Sequence, residues 1–133
     1  MVMLHGELGN VAPNMPADVQ LPCGMAAKAI HFLSGVSGWG FPASESGTVS
    51  MIVRLHYLGG PVEDHSLING VHFADYLGHT DVTGSQLAFN LGRQQLRYFK
   101  IEPKRREVVE SVELIKGADK TAPLVMAVTA EQL

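Results

Sequence analysis

The side chains best suited to chemistry are concentrated in the stretch Asn69–Gly84, NGVHFADYLGHTDVTG. Within it, His72, Asp75 and His79 follow the spacing HxxDxxxH. On a helix these positions would share one face, where two imidazoles and a carboxylate can bind a transition metal. The turn residues around Gly78 argue against a helix of that length. The alternative is a solvated loop whose Asp and His side chains bond to nearby backbone.

Calcium is a second metal to consider in the same stretch. Asn69, Asp75 and Asp81 offer hard oxygen ligands of the kind that Ca²⁺ prefers. No EF-hand-like spacing accompanies them, so a structural calcium rests on residue type alone.

Two other arrangements of residues bear on catalysis. Asp64 and His65 are neighbours on a predicted strand, and adjacent strand residues point to opposite faces, so they do not form a natural dyad. The segment Gly35–Trp39 lacks the last glycine of a GxSxG nucleophile elbow. A small metalloenzyme stays open as an alternative, using the HxxDxxxH residues or His56 with His65 from neighbouring strands.

Aromatic residues beside polar ones point instead to carbohydrate. The loop Ser34–Gly47 is rich in Gly and carries Trp39, the only Trp of the chain. A sugar needs an exposed aromatic platform for its C–H face and polar groups for its hydroxyls. The alternative for Trp39 and Phe41 is that they fold back and cap the core. The candidate ligand-binding residues are Trp39, Phe41, His72, Tyr76, Arg93 and Gln94.

The elements that must position these residues are predicted to be strands. In Thr48–Tyr57, TVSMIVRLHY, apolar and polar residues alternate with a single break at Ile52, as in a strand with one buried face. Gly59-Gly60 then predicts a hairpin that returns along Val62–Ile68. Further strands are predicted at Asp18–Pro22, Lys28–Leu33, Ser85–Leu91, Gln94–Glu102 and Glu110–Lys116, and a last one contains Leu124, Met126 and Val128.

These strands predict an all-β fold, an antiparallel β-sandwich or jelly roll of about eight or nine strands. Within it, Leu87, Phe89 and Leu91 are expected to face the core, as are Leu124, Met126 and Val128. No segment shows a long helical stripe, and no internal repeat or linker divides residues 1–133. We therefore expect a single domain.

Composition narrows the function classes. The chain has 133 residues, of which 46% are hydrophobic and 17% charged, with a net charge of −3, which is typical of a globular domain. The scattered basic residues do not predict a nucleic-acid surface, and no apolar run is long enough to span a membrane. The start, MVMLHGELGN, lacks a signal peptide and already resembles a strand, which suggests a fragment of a longer protein. The single Cys23 excludes an internal disulfide.

Several segments together resemble a known group of domains: Lys28–Gly40 (KAIHFLSGVSGWG), Val53–Gly60 (VRLHYLGG), Val112–Gly117 (VELIKG) and Ala122–Thr129 (APLVMAVT). Their order is similar to that in the galactose-binding-like jelly-roll accessory domains of secreted bacterial proteins, including carbohydrate-binding modules of the NPCBM type. The resemblance spans Lys28–Thr129 and implies a non-catalytic binding role beside an enzyme domain, with a structural calcium in some members. It also implies an extracellular or cell-envelope location.

The expected function is therefore a non-catalytic accessory domain that binds carbohydrate. Its partners would be a carbohydrate or a neighbouring domain of a larger protein, and neither nucleic acid nor a membrane span is expected. A structural protein–protein interaction domain, which pairs through an exposed strand edge into a homodimer, is the other alternative to the metalloenzyme.

Overall fold

Nine strands in two antiparallel sheets make up this protein, and the computed structural model describes all of residues 1–133. The strands are β1 (Val2–Met3), β2 (Asp18–Met25), β3 (Ala27–Ser37), β4 (Val49–Tyr57), β5 (Val62–Ile68), β6 (Gln86–Leu91), β7 (Gln94–Ile101), β8 (Val109–Lys116) and β9 (Ala122–Gln132). The only helical element is one 3₁₀ turn, Ala12–Asn14. The all-β antiparallel sandwich predicted from the alternation is confirmed, with nine strands. No helix here has the length and apolar character that crossing a bilayer requires.

The two sheets have the orders β1-β9-β3-β7-β6 and β2-β8-β4-β5. Only β4–β5 and β6–β7 are consecutive strands that pair as hairpins, and every other connection crosses between sheets. The β4–β5 turn contains Gly59 and Gly60 with φ of +91° and +105°, a conformation that glycine adopts without steric cost. The predicted hairpin at this position is therefore confirmed, and its return strand has the predicted bounds Val62–Ile68.

The core lies between the sheets and follows the alternation of β4. Met51, Val53 and Leu55 are fully buried, while the residues between them face outward. From the other sheet, Phe32 and Phe99 stack with ring centroids 5.0 Å apart. This confirms the inward face predicted for β4.

The prediction that Leu87, Phe89 and Leu91 face the core is wrong. They are 47%, 40% and 56% exposed, and every residue of β6 is exposed. β6 is the outermost of five strands and pairs only with β7, while the facing sheet has only four strands. Alternation shows that a strand has one apolar and one polar face. Whether the apolar face is covered depends on how far the opposite sheet extends sideways.

The predicted core face of β9 needs a correction as well. Val125 belongs to the core cluster and is 2% exposed, whereas Met126 is 42% exposed. The register of β3 and β9 shifts between Leu33 and Ser34, which leaves Met126 as a bulge residue. Because a bulge changes the phase of the alternation, Val125 and then Val128 face the core.

Candidate functional site

Trp39 lies on a loop that begins directly after β3, and its side chain is exposed. The residue is 60% exposed and has a φ of +63°, in a region that non-glycine residues rarely adopt. Only glycine fits at position 40, because a Cβ there would collide with the Val36 side chain and lie 3.2 Å from Asp75 Cα. The Gly-Trp-Gly sequence thus lets the chain turn tightly against residue 75 while it presents the indole to solvent.

Two polar side chains hold this loop in place. The Gly40 N–H donates to Asp75 Oδ2 at 2.8 Å, and the Phe41 N–H donates to Asn69 Oδ1 at 2.9 Å. Asn69 is 1% exposed, and its Nδ2 donates to Ser44 Oγ at 2.9 Å. Asn69 and Asp75, the predicted calcium ligands, therefore fix the backbone directly after the exposed Trp.

The segment that carries these side chains is itself tied to the five-stranded sheet. The Tyr76 N–H donates to the Val36 carbonyl at 2.8 Å. Gln95, which is 2% exposed, donates its Nε2 to the carbonyls of Asp75 and Thr80 at 3.1 and 3.2 Å. Asn69 and Asp75 thus hold the Trp39 loop, and further hydrogen bonds hold the segment that carries Asp75. A preformed binding site requires this kind of rigidity.

Below Trp39 lies an open cleft of about 820 Å³. Half of its sixteen lining residues are hydrophobic, and its aromatic residues are Trp39 and Tyr76. Asp75 is the only charged residue of the lining, and Thr80, Ser37 and Asn10 add polar groups. The cleft therefore combines aromatic surface with hydrogen-bonding groups, of which the Asp75 carboxylate is already oriented by Gly40 and by the Leu77 N–H at 2.9 Å.

The predicted carbohydrate-binding residues are brought together only in part. Trp39 and Tyr76 line the same cleft, and Tyr76 also borders a second cleft of about 310 Å³ that Gln94 lines. Phe41 is half-buried and is absent from the lining of both clefts. Arg93 lies in the β6–β7 turn and is likewise outside both linings.

His72 and His79 point to different places, since residues 69–81 form turns and isolated bridges rather than a helix. The Ile68 N–H donates to His72 Nδ1 at 3.0 Å, and the ring lies 6.1 Å from that of Phe99. Burial lowers the pKa of His72. His79 is exposed, with its Nε2 3.2 Å from the Gly92 carbonyl.

Asp81 pairs with an arginine, Arg97, that no motif in the sequence indicated. Arg97 is 1% exposed, and its guanidinium donates to Asp81 Oδ1 at 2.8 Å and to the Ser85 carbonyl at 2.7 Å. The structure contains no group of three or more His, Cys, Asp or Glu side chains that could hold a metal ion. Both the calcium and the transition-metal site stay predictions, and these oxygens and nitrogens already serve hydrogen bonds within the chain.

The histidines of β4 and β5 also lie apart. His65 contacts Glu63 on the inner face of β5, whereas His56 contacts Glu113 at 2.8 Å on the outer face of its sheet. Asp64 pairs with Arg54 on that outer face at 2.8 Å. As predicted, Asp64 and His65 face opposite sides, and the structure does not bring His56 and His65 together.

The acid partner of His65 is thus Glu63, two residues earlier rather than adjacent. Glu63 also accepts from the Tyr57 hydroxyl at 2.8 Å, which makes a largely buried acid–imidazole–phenol cluster. The spacing of Glu63 and His65 could have indicated this contact from the sequence, because residues i and i+2 of a strand share a face.

No family model, no curated protein and no solved structure matches this chain. The fold and the site define it as an all-antiparallel β-sandwich whose open cleft is bordered by a preordered, tryptophan-bearing loop.

Proposed function

We propose that this chain is a non-catalytic accessory domain that binds carbohydrate in the cleft below Trp39, as a jelly-roll module of the NPCBM type. The observation that carries the proposal is an exposed indole in a left-handed backbone conformation, held by Asn69 and Asp75 beside a cleft of about 820 Å³. Backbone conformations of this kind persist only where the surroundings enforce them, and they concentrate at functional sites.

The chemistry of the cleft favours a sugar over a purely apolar ligand. Trp39 and Tyr76 offer ring faces for C–H groups, while Asp75, Thr80 and Ser37 offer acceptors and donors for hydroxyls. An apolar groove of about 440 Å³ elsewhere on the molecule is lined almost entirely by hydrophobic residues and lacks such groups.

The charge of the lining favours binding over hydrolysis. Glycosidases generally use two carboxylates that flank the scissile bond, and Asp75 is the only carboxylate of this cleft. Both of its oxygens already accept backbone hydrogen bonds, from Gly40 and Leu77. This arrangement suits a carboxylate that orients hydroxyls in a binding site.

As such a module, the chain would serve a longer extracellular or cell-envelope protein and bring its neighbouring domain to a polysaccharide. This part of the proposal rests on the resemblance in sequence order and on the sandwich fold.

The test is affinity electrophoresis in gels that contain galactan, xylan or mixed-linkage glucan, followed by a broad glycan array. We expect retardation of the wild type by at least one glycan and a loss of affinity of at least about tenfold in Trp39→Ala, since central aromatic anchors dominate binding energy.

The matched control is Phe89→Ala, which removes another exposed aromatic ring that lies on β6, outside the lining of the cleft. It should bind like the wild type. Equal losses in both variants, or a wild type that no glycan retards or captures, would contradict the proposal.

A further inference from the structure

The four lateral edges of the sandwich differ in how well they are protected from pairing with other strands. An unprotected edge offers a row of free backbone N–H and C=O groups to any extended chain. β2 contains Pro22 and a register shift after it, and β5 carries Glu63 and Asp64. β6 has a register shift between Leu87 and Phe89. Prolines, charges and bulges of this kind are the usual means of blocking an edge.

The remaining edge, on β9, has almost none of these features. β1 pairs only with Val125 and Leu124, so the outer side of the segment Met126–Gln132 has no partner strand. We call this segment the free β9 edge. It contains no proline, no glycine and a single charge, Glu131, near its end, and its one irregularity is the bulge at Met126, where it begins.

Beside the free β9 edge, the side of the sandwich is open. A groove of about 440 Å³ lies there, and twelve of its thirteen lining residues are hydrophobic. Val128 and Ala130 of β9 form one wall, and Leu21 and Cys23 of β2 contribute to the other. An apolar groove along an unpaired strand fits one type of occupant, an extended strand with apolar residues at alternate positions.

We propose that the occupant is the free β9 edge of a second copy of this chain, paired antiparallel across a twofold axis. Each of the two five-stranded sheets would then continue into the other, and Val128 and Ala130 of each copy would cover the groove of its partner.

Three observations favour a second copy. β1 pairs antiparallel with Leu124 and Val125, directly before the free β9 edge, so an antiparallel partner continues the existing geometry. Antiparallel self-pairing is isologous, because the same segment of each copy forms both halves of the interface. Glu131 is the only charge of the segment, and a twofold axis at Thr129, which pairs Met126–Gln132 with the same segment of the partner, opposes it to the uncharged Ala127.

The experiment is light scattering on the size-fractionated full chain over a range of concentrations, with the double variant Ala127→Glu/Thr129→Glu. Both positions are exposed in one chain, so the new side chains leave the single sandwich intact, but the twofold axis would bring the carboxylates of residues 127, 129 and 131 of both copies together. The matched control is Gln86→Glu/Asn90→Glu on the exposed β6 edge.

We expect the wild type and the β6 control to approach twice the 14.3 kDa of the chain with rising concentration, while the β9 variant stays at 14.3 kDa. Hydrogen exchange at Met126–Ala130 of the wild type should slow as the dimer forms. Circular dichroism and thermal unfolding verify that each variant is folded. A wild type that stays monomeric up to its solubility limit, or a dimer that survives the two new β9 glutamates, would overturn the proposal.

Discussion

Asp119 shows how much a single loop residue contributes to this fold. Its side chain is only 8% exposed and accepts hydrogen bonds from Lys116 Nζ at 2.8 Å, Ser50 Oγ at 2.6 Å, Thr121 Oγ at 2.6 Å and Thr48 Oγ at 2.9 Å. Burial alone would raise the pKa of Asp119, but these hydrogen bonds outweigh it and hold the pKa below its ordinary value. The carboxylate thereby joins the start of β4, the end of β8 and the start of β9.

We expect Asp119→Ala to lower the free energy of unfolding by about 3–5 kcal/mol, because it leaves the buried Lys116 ammonium without its counterion. Urea denaturation monitored by circular dichroism measures the change. Glu102→Gln is the control, since it breaks only the exposed pair with Lys100 and should be close to neutral. An Asp119→Ala variant as stable as the control would show that the cluster contributes nothing net.

At the scale of elements, the loop after β3 depends on how closely its backbone approaches its neighbour. β3 runs to Ser37, so the predicted loop Ser34–Gly47 begins later than its composition indicates. Its first part, through Val36, is a buried strand end, and only the part from Gly38 onward forms the site.

Gly40→Ala should destabilise the protein by about 1–3 kcal/mol, because the new Cβ would collide with Val36 and crowd the Asp75 backbone. Gly35→Ala is the matched control from the end of β3. There the nearest heavy atom to a new Cβ, Tyr76 Cβ, is at an ordinary contact distance of 3.5 Å.

Thermal and urea unfolding of both variants measure the difference. We expect Gly35→Ala to stay within about 1 kcal/mol of the wild type, since the added methyl group fits and glycine is the more flexible residue in the unfolded chain. Equal stability of the two variants would mean that the loop is free to move away from Asp75.

For the whole molecule, two kinds of titrating group make stability depend on pH in the same direction. Burial lowers the pKa of His72 below its ordinary 6.5. For Glu63, burial would raise the pKa, but hydrogen bonds from His65, Tyr57 and the Lys104 N–H outweigh it and lower the pKa below 4.5. Asp119 also has a pKa below its ordinary 3.8.

In each case the unfolded chain binds the proton at a higher pH than the folded one, so acidification favours unfolding. The free energy of unfolding should therefore fall in two windows, first below about pH 6.5 through His72 and then below about pH 4.5 through Glu63 and Asp119. Urea denaturation at a series of pH values between 7 and 3 measures the profile.

Two variants separate the windows. His72→Gln should flatten the profile between pH 6.5 and 5 while the acidic part remains, and Asp119→Asn should reduce the slope below pH 4 alone. A wild-type profile that is level from pH 7 to 5, or one that rises on acidification, would contradict these assignments.

The sequence by itself determined the sandwich class, because a two-residue alternation survives any arrangement of neighbouring strands. β4, the β4–β5 hairpin and the inward faces of Val112 and Leu114 follow from local pattern and turn chemistry. The sequence also indicated that Trp39 lies on a loop, since Gly38 and Gly40 flank it directly.

Only the tertiary structure decided which side of each strand is covered and which polar groups meet. The exposure of β6 depends on the width of the opposite sheet, and the phase of β9 depends on a bulge against β3. Likewise Asn69 and Asp75 look like metal ligands in sequence, but packing of residues 69–76 against β3 makes them hydrogen-bond acceptors for the Trp39 loop. These outcomes depend on contacts between residues far apart in the chain, which no local period encodes.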